Sequence, residues 1–339
     1  MRRSRSVITS LLLCVILGAV SILSACGGSE SSGGNADGEA GKEELIKLRI
    51  AYNKNGGQTP QYVAVTKGFF EKHGLSVESI EFKTNTDSVA ALESGNLDIL
   101  ASIPSTIWSA REAGFDLVAF MQNETAGFEE PDSGTLIAAP DSGINSLKDL
   151  AGKEIACLSL SSQACLDAIY LLEKEGLPRD SYKITEAPFA THYDLLANKQ
   201  VDAVVTVDPF STKIITEKVG TVLSYIYIDT NPGQPLGAWW SHRDWVEENP
   251  EIVEKFSLAI KDAIDYLHED ENRAREIVAE YTGLDPETVK NMPMMNWNYE
   301  LKVDAWQKQG EILKQVGGLK EVPDPDAYFA EAIFKYEAK

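Results

Sequence analysis

Between residues 48 and 113, short apolar runs alternate with segments whose apolar residues recur at helical spacing. Leu48–Tyr52, Val77–Phe82 and Leu97–Ser102 read as strands, and Gln58–His73, Asp87–Glu93 and Ser105–Ala113 as helices. In the first helix Tyr62, Val65, Thr66 and Phe69 fall on one face and Gly74 stops it. This alternation predicts an α/β fold with a largely parallel sheet. A second series follows: strands at Thr135–Ala139 and Glu154–Leu158, a helix from Ser162 to Glu175 stopped by Gly176, then strands at Tyr182–Glu186 and Ala203–Val207. It predicts a second sheet. The last third is mostly helical. Pro250–Leu267 carries Ile252, Phe256, Ala259, Ile260, Ala263 and Leu267 on one face, and further helices are expected as far as Tyr336.

The two series echo each other. Leu92-Glu93-Ser94-Gly95-Asn96-Leu97-Asp98 and Leu196-Ala197-Asn198-Lys199-Gln200-Val201-Asp202 each pass from a helix end through a turn into an apolar-Asp strand start. Both strands leave through a proline, at Ile103-Pro104-Ser105 and at Asp208-Pro209-Phe210. Two similar half-units imply two similar lobes. Long connections at Asn123–Gly134 and Thr230–Gly237 are where the chain would cross between them.

The chain start carries a different signal. Arg2, Arg3 and Arg5 precede an apolar run from Val7 to Leu23, and Leu23-Ser24-Ala25-Cys26 is followed by Gly27-Gly28. This is either an export signal with a modifiable cysteine or an uncleaved membrane anchor; the small residues at the cut site favour the first. The arrangement resembles a bacterial lipoprotein signal, which implies cleavage before Cys26 and a lipid on its thiol. Residues 26–43, rich in Gly, Ser, Asn, Asp and Glu, read as a flexible tether. Without residues 1–25 the chain keeps 28 basic and 52 acidic residues, a net charge of −24. Such a surface repels nucleic acid. Cys157 and Cys165 remain as a pair in an oxidising compartment, joined in a disulfide or free according to a loop the sequence does not define.

Gln61–Glu78 (QYVAVTKGFFEKHGLSVE) resembles the first-helix signature of the extracytoplasmic solute-binding proteins of ABC importers for nitrate, sulfonates, taurine and thiamine-type pyrimidines. ALESGNLDILASIPS (91–105), SLKDLAGKEIA (146–156) and VDAVVTVDPF (201–210) extend the resemblance over most of the chain. It implies a two-lobed, periplasmic-binding-protein-like fold of type II, with two sheets, two crossovers and a helical C-terminal part. The expected division is signal 1–25, tether 26–43, first lobe 44–134 with 237–339, and second lobe 135–236. The implied protein is a monomer, lipid-anchored outside the cell membrane. It captures a small solute and hands it to an ABC permease, with no cofactor, no metal, no nucleic acid and no catalysis.

Ligands of open α/β sheets sit beyond the carboxyl ends of strands, so the loops after each strand supply the candidates. They are Asn53 and Gln58 after the first strand, Ser105 and Thr106 at one helix start, and Ser161, Ser162 and Gln163 at another. Helix N-termini attract anions; the plainer alternative is that Ser105 and Ser162 only cap. Asp208 is either a ligand for an amine or a third cap. Of Trp239 and Trp240, adjacent on a strand, at most one faces the cleft. His73, His192, His242 and His268 lack metal-ligand spacing, and His192 alone opens a second-lobe helix. These features rank an organosulfonate first as solute, with a pyrimidine precursor or aromatic acid as alternative. A pyrimidine-synthase-like enzyme on the same fold and a sensing lipoprotein are the competing classes.

Overall fold

Eleven strands and the helices between them build a mixed α/β body in a computed structural model that describes residues 44–331 and 333. The signal, the tether up to Glu43 and the expected lipid site Cys26 lie outside the described residues. The strands are β1 Ile46–Tyr52, β2 Leu75–Glu81, β3 Leu100–Ser102, β4 Leu117–Thr125, β5 Gly134–Ala138, β6 Glu154–Cys157, β7 Lys183–Glu186, β8 Ala203–Val207, β9 Thr221–Ser224, β10 Pro235–His242 and β11 Asn296–Trp297.

They form two groups with the same plan. In the second group the order is β7-β6-β8-β5-β9. In the first, β11-β4-β10-β3 form one sheet and β1-β2 another, bridged by Ile50 opposite Ile99 just before β3. The order β2-β1-β3-β10-β4 therefore repeats that of the second lobe. The sheets are mixed, which corrects the expectation of largely parallel pairing. β1 and β2, and β6 with both β7 and β8, run parallel. β5 and β10 enter from the opposite lobe, so each runs against both of its neighbours.

Both faces of the first sheet are covered. Ile50, Phe120 and Trp239 pack under Phe256, Ile260 and Ile264 of helix Pro250–His268. On the other face Leu100, Ala119 and Trp240 meet Trp108, Trp306 and Tyr328. Each such aromatic or aliphatic side chain contributes roughly 1.5–3 kcal/mol by burial. The second sheet lies between helix Gln163–Lys174 on one side and Leu196 and Ile214 on the other.

The expected helix over Gln58–His73 is broken. Gly68, at φ 72°, separates Thr59–Thr66 from Phe69–Lys72, because the left-handed conformation that suits glycine ends the ladder. The lobes connect at 126–133 and 231–234, and these two segments lie side by side. Ala126 N donates to Gln234 O at 2.9 Å and Gly233 N to Gly127 O at 3.2 Å. Cys157, at the end of β6, is joined in a disulfide to Cys165 in the first turn of the next helix, with Cα atoms 5.9 Å apart.

Candidate functional site

A cavity of about 280 Å³ opens where the carboxyl ends of the two sheets face each other across the crossovers. From the first lobe come Asn55, Gly56 and Gly57 after β1, Ile103 after β3, Glu124 at the end of β4, and Leu284, Met292 and Met295 from the C-terminal part. From the second come Ser133 before β5, Leu158 after β6, Ser162 and Gln163 at a helix start, Phe189 after β7 and Asp208 after β8, with Tyr227 and Leu236 nearby. A larger hollow of about 350 Å³, walled by Gln61, Tyr62 and Tyr281, draws on the first lobe alone and is not at the join.

Asp208 sits where β8 gives way to helix Phe210–Thr216. Its Oδ1 accepts from the Ser211 hydroxyl, from Thr212 N at 3.0 Å and from Thr212 Oγ1 at 2.6 Å, so it caps that helix. Its Oδ2 is buried without a hydrogen-bond partner. Burial pushes the carboxyl above its ordinary value, and the three capping donors pull the other way. Glu124 lies against Gly57, close enough that a β-carbon there would strike its carboxylate. Burial, then the charge of Asp132, lifts Glu124 to about 7. Asp132, adjacent to lining residue Ser133, is also raised by burial and has Oδ2 without a partner.

Ser162 is the N-cap of helix Gln163–Lys174, accepting from Cys165 N at 3.4 Å. Gln163 behind it is buried, its Nε2 donating to Gln234 Oε1 at 2.7 Å and to Pro235 O at 3.2 Å. Gln58 borders a small extension of the cavity beside Asn55, its Oε1 accepting from Asn53 N at 2.8 Å.

Of the ten candidates read from sequence, Ser162, Gln163 and Asp208 line the cavity and Gln58 borders its extension. The other six stand apart. Asn53 turns its carbonyl to the Tyr281 hydroxyl at 2.6 Å. Helix Pro104–Glu112 starts with Ile103 in the cap position, so Ser105 is a buried second residue that caps nothing, and Thr106 lies beyond it. Ser161 is exposed and faces Ser159 Oγ at 3.2 Å. At most one tryptophan was expected to face the cleft and neither does, so Trp239 and Trp240 are corrected as ligand candidates: β10 lies between β3 and β4 with helices on both sides. Trp239 meets Phe256 with ring centres 5.0 Å apart, while Trp240 packs on Trp306 and donates Nε1 to Ser102 O at 3.0 Å. His192 is buried, its Nε2 3.0 Å from Ala187 O.

The reading from sequence missed Glu124, Asn55, Phe189 and Tyr227. A signal for Glu124 exists: Gln122-Asn123-Glu124 is a polar triplet closing an otherwise apolar strand, and such a strand end is where ligand-facing groups belong.

Two sheets of one order, paired crossovers and a cavity at their join define a two-lobed protein of the periplasmic-binding type. The chain belongs to the NMT1/THI5 like family, which matches residues 55–274, more than half of it. A Brucella abortus relative named only as a binding protein is 25% identical over 302 residues, covering 85% of this chain and 92% of its own. A Bacillus subtilis relative named for aliphatic sulfonates binding is 24% identical over 284 residues, covering 83% and 81%. A 4-amino-5-hydroxymethyl-2-methylpyrimidine phosphate synthase of Schizosaccharomyces pombe is 29% identical over 123 residues, only 36% and 34%. Among solved structures, a periplasmic aliphatic sulphonate binding protein from Escherichia coli superposes with TM-score 0.71 at 18% identity over 85% of this chain and 98% of its own.

Proposed function

We propose that the protein is the solute-binding component of an ABC importer, held outside the membrane by a lipid on Cys26, and that it delivers a small organic solute to a permease without chemical change. The observation that carries this reading is the cavity at the join, built from both lobes beside two short crossovers that can act as a hinge. The crossovers at 126–133 and 231–234 support a division close to 44–134 with 237–339 against 135–236, with Gly134 in a strand of the second lobe and Pro235 and Leu236 in a strand of the first. The binding-protein names of the relatives that span most of the chain favour capture over catalysis, and the pyrimidine synthase matches only about a third of it.

A taurine-like aminosulfonate is our first choice. Its acid end would meet the positive end of helix Gln163–Lys174, and its amine the carboxylates of Asp208 and Glu124. Phe189 and Tyr227 favour a thiamine-precursor pyrimidine as the second.

The test is a thermal-shift panel on the full-length protein with taurine, alkanesulfonates, aminopyrimidines, nitrate and aromatic acids. A true solute at 100 times its dissociation constant adds about 2.7 kcal/mol of stability. No shift with any member contradicts the reading, and turnover of a member moves it to the enzyme. For the anchor, Cys26→Ser should abolish labelling by palmitate and release the protein from the membrane fraction. Unchanged labelling would refute the lipoprotein assignment.

A further inference from the structure

We infer that the buried side-chain atoms left without partners at the edge of the inter-lobe cavity are hydrogen-bond acceptors, so that it selects solutes carrying a cationic group with several N–H donors, an ammonium or an amidinium, and rejects simple anions. The inference rests on the solute-binding reading and narrows its ligand class.

Gln163 is the decisive residue. It is only 3% exposed, it lines the cavity, and its Oε1 has no hydrogen-bond partner. An amide side chain can ordinarily be turned over to offer either atom. Here two backbone carbonyls prevent it. Gln234 donates its Nε2 to Tyr227 O at 2.8 Å, which leaves Gln234 Oε1 as an acceptor. Gln163 Nε2 fills that acceptor and also Pro235 O, so the oxygen of Gln163 must be the atom left over. A buried acceptor left without a donor destabilises the fold, and an N–H-bearing solute would remove that cost.

Asp208 repeats the logic. Its Oδ1 is taken up by Ser211 and Thr212, and Oδ2 is the unpartnered atom. Glu124, in its ionised form above about pH 7, supplies a third acceptor on the facing lobe, and Asp132, 8% exposed and next to Ser133, has no hydrogen-bond partner on its Oδ2. Of the lining groups that could donate, the Ser162 hydroxyl is spent on Ser159 O and one N–H of Asn55 Nδ2 on Asn53 Oδ1, which leaves the Ser133 and Tyr227 hydroxyls and the second Asn55 N–H as neutral donors. Among the described residues that line this cavity there is no Lys, Arg or His. An anion entering it would meet two carboxylates and an amide oxygen, with the end of one helix dipole as its main attraction. The walls suit a flat ring: Phe189 and Tyr227 from one lobe, Met292 and Met295 from the other.

Two matched pairs of probes test this by isothermal titration on the full-length protein: benzamidine against benzoate, and taurine against ethanesulfonate. Each pair keeps the skeleton and changes the N–H-bearing group. The expected result is at least about tenfold tighter binding of the N–H-bearing member in each pair. Asp208→Asn keeps an Oδ1 for the helix cap and places an NH2 where Oδ2 stood. It should weaken benzamidine by about tenfold or more and strengthen benzoate. Glu124→Gln, which leaves the cap untouched, should weaken benzamidine in the same direction.

Equal or tighter binding of the anion in either pair overturns the inference and leaves the importer reading standing. Unaltered benzamidine affinity in both variants also overturns it. Failure of all four probes to bind overturns it too, while the importer reading is then judged by the wider panel.

Discussion

A carboxylate at a helix start has two oxygens and often needs only one of them to cap. At Asp208 the division of labour is visible, with Oδ1 on three donors and Oδ2 left for the cavity. Asp208 was legible in the sequence because Asp-Pro follows a strand, as were Ser162 and Gln163 after β6. Trp239 and Trp240 were not, since alternation along a strand says that two neighbours face apart but not that both faces are covered. A second buried acid, Asp167, makes a separate prediction. It is fully buried in helix Gln163–Lys174, accepts from Gln309 Nε2 at 2.8 Å, and is pushed by burial to about 7, with Gln309 and Gln234 opposing. An unfolded aspartate titrates near about 3.9. The folded state therefore holds this proton more tightly, and the stability it contributes is full below about pH 4 and lost as pH rises to about 7. Asp167→Asn should raise the melting temperature at pH 8 and leave it little changed near pH 4. A calorimetric series showing the same difference at both pH values would disprove the assignment.

At the scale of elements, the internal echo proves to be one fastening used twice. Asp98 N donates to Arg49 O at 2.9 Å while its carboxylate accepts from Arg49 N at 2.7 Å. Asp202 N donates to Glu154 O at 2.9 Å while its carboxylate accepts from Glu154 N at 2.8 Å. Each aspartate thus ties the approach to one strand to its parallel neighbour, β3 to β1 and β8 to β6, and Asp202→Ala should cost about 1–3 kcal/mol in denaturant melts by orphaning that N–H. The turns before them differ in a testable way. Gly95 at φ 71° and Lys199 at φ 54° occupy the equivalent left-handed position, strained only for the lysine. Lys199→Gly should stabilise by about 0.5–1 kcal/mol, and a loss of stability would show that the turn carries no strain. This repeat was readable because its chemistry is local. β4 was overlooked because Leu117–Met121 is apolar throughout: a strand buried on both faces loses the alternation that marks a half-exposed one. The antiparallel return of β5 and β10 was likewise invisible, since it depends on which lobe each strand enters from.

Across the whole molecule, a buried polar chain joins the cavity to the hinge and to the C-terminal part. Gln163 contacts Gln234 on the return crossover, Gln309 of helix Val303–Gln315 reaches Asp167, and Asn231 Nδ2 donates to Ala305 O at 2.9 Å. A solute seated on Gln163, as proposed, would be one hydrogen bond away from the crossover segment 231–234, and binding energy can bias closure only through such differential contacts. The two-lobed class was legible from the doubled strand series and the family segments. The free acceptor at Gln163 was not, because it arises from the orientation of one buried amide. The most direct measurement is hydrogen–deuterium exchange of the full-length protein with and without saturating benzamidine or taurine, whichever binds more tightly. Capture between the lobes predicts simultaneous slowing at residues 53–58 and 123–126 of the first lobe and at 158–166 and 207–212 of the second. Protection confined to one lobe would contradict it.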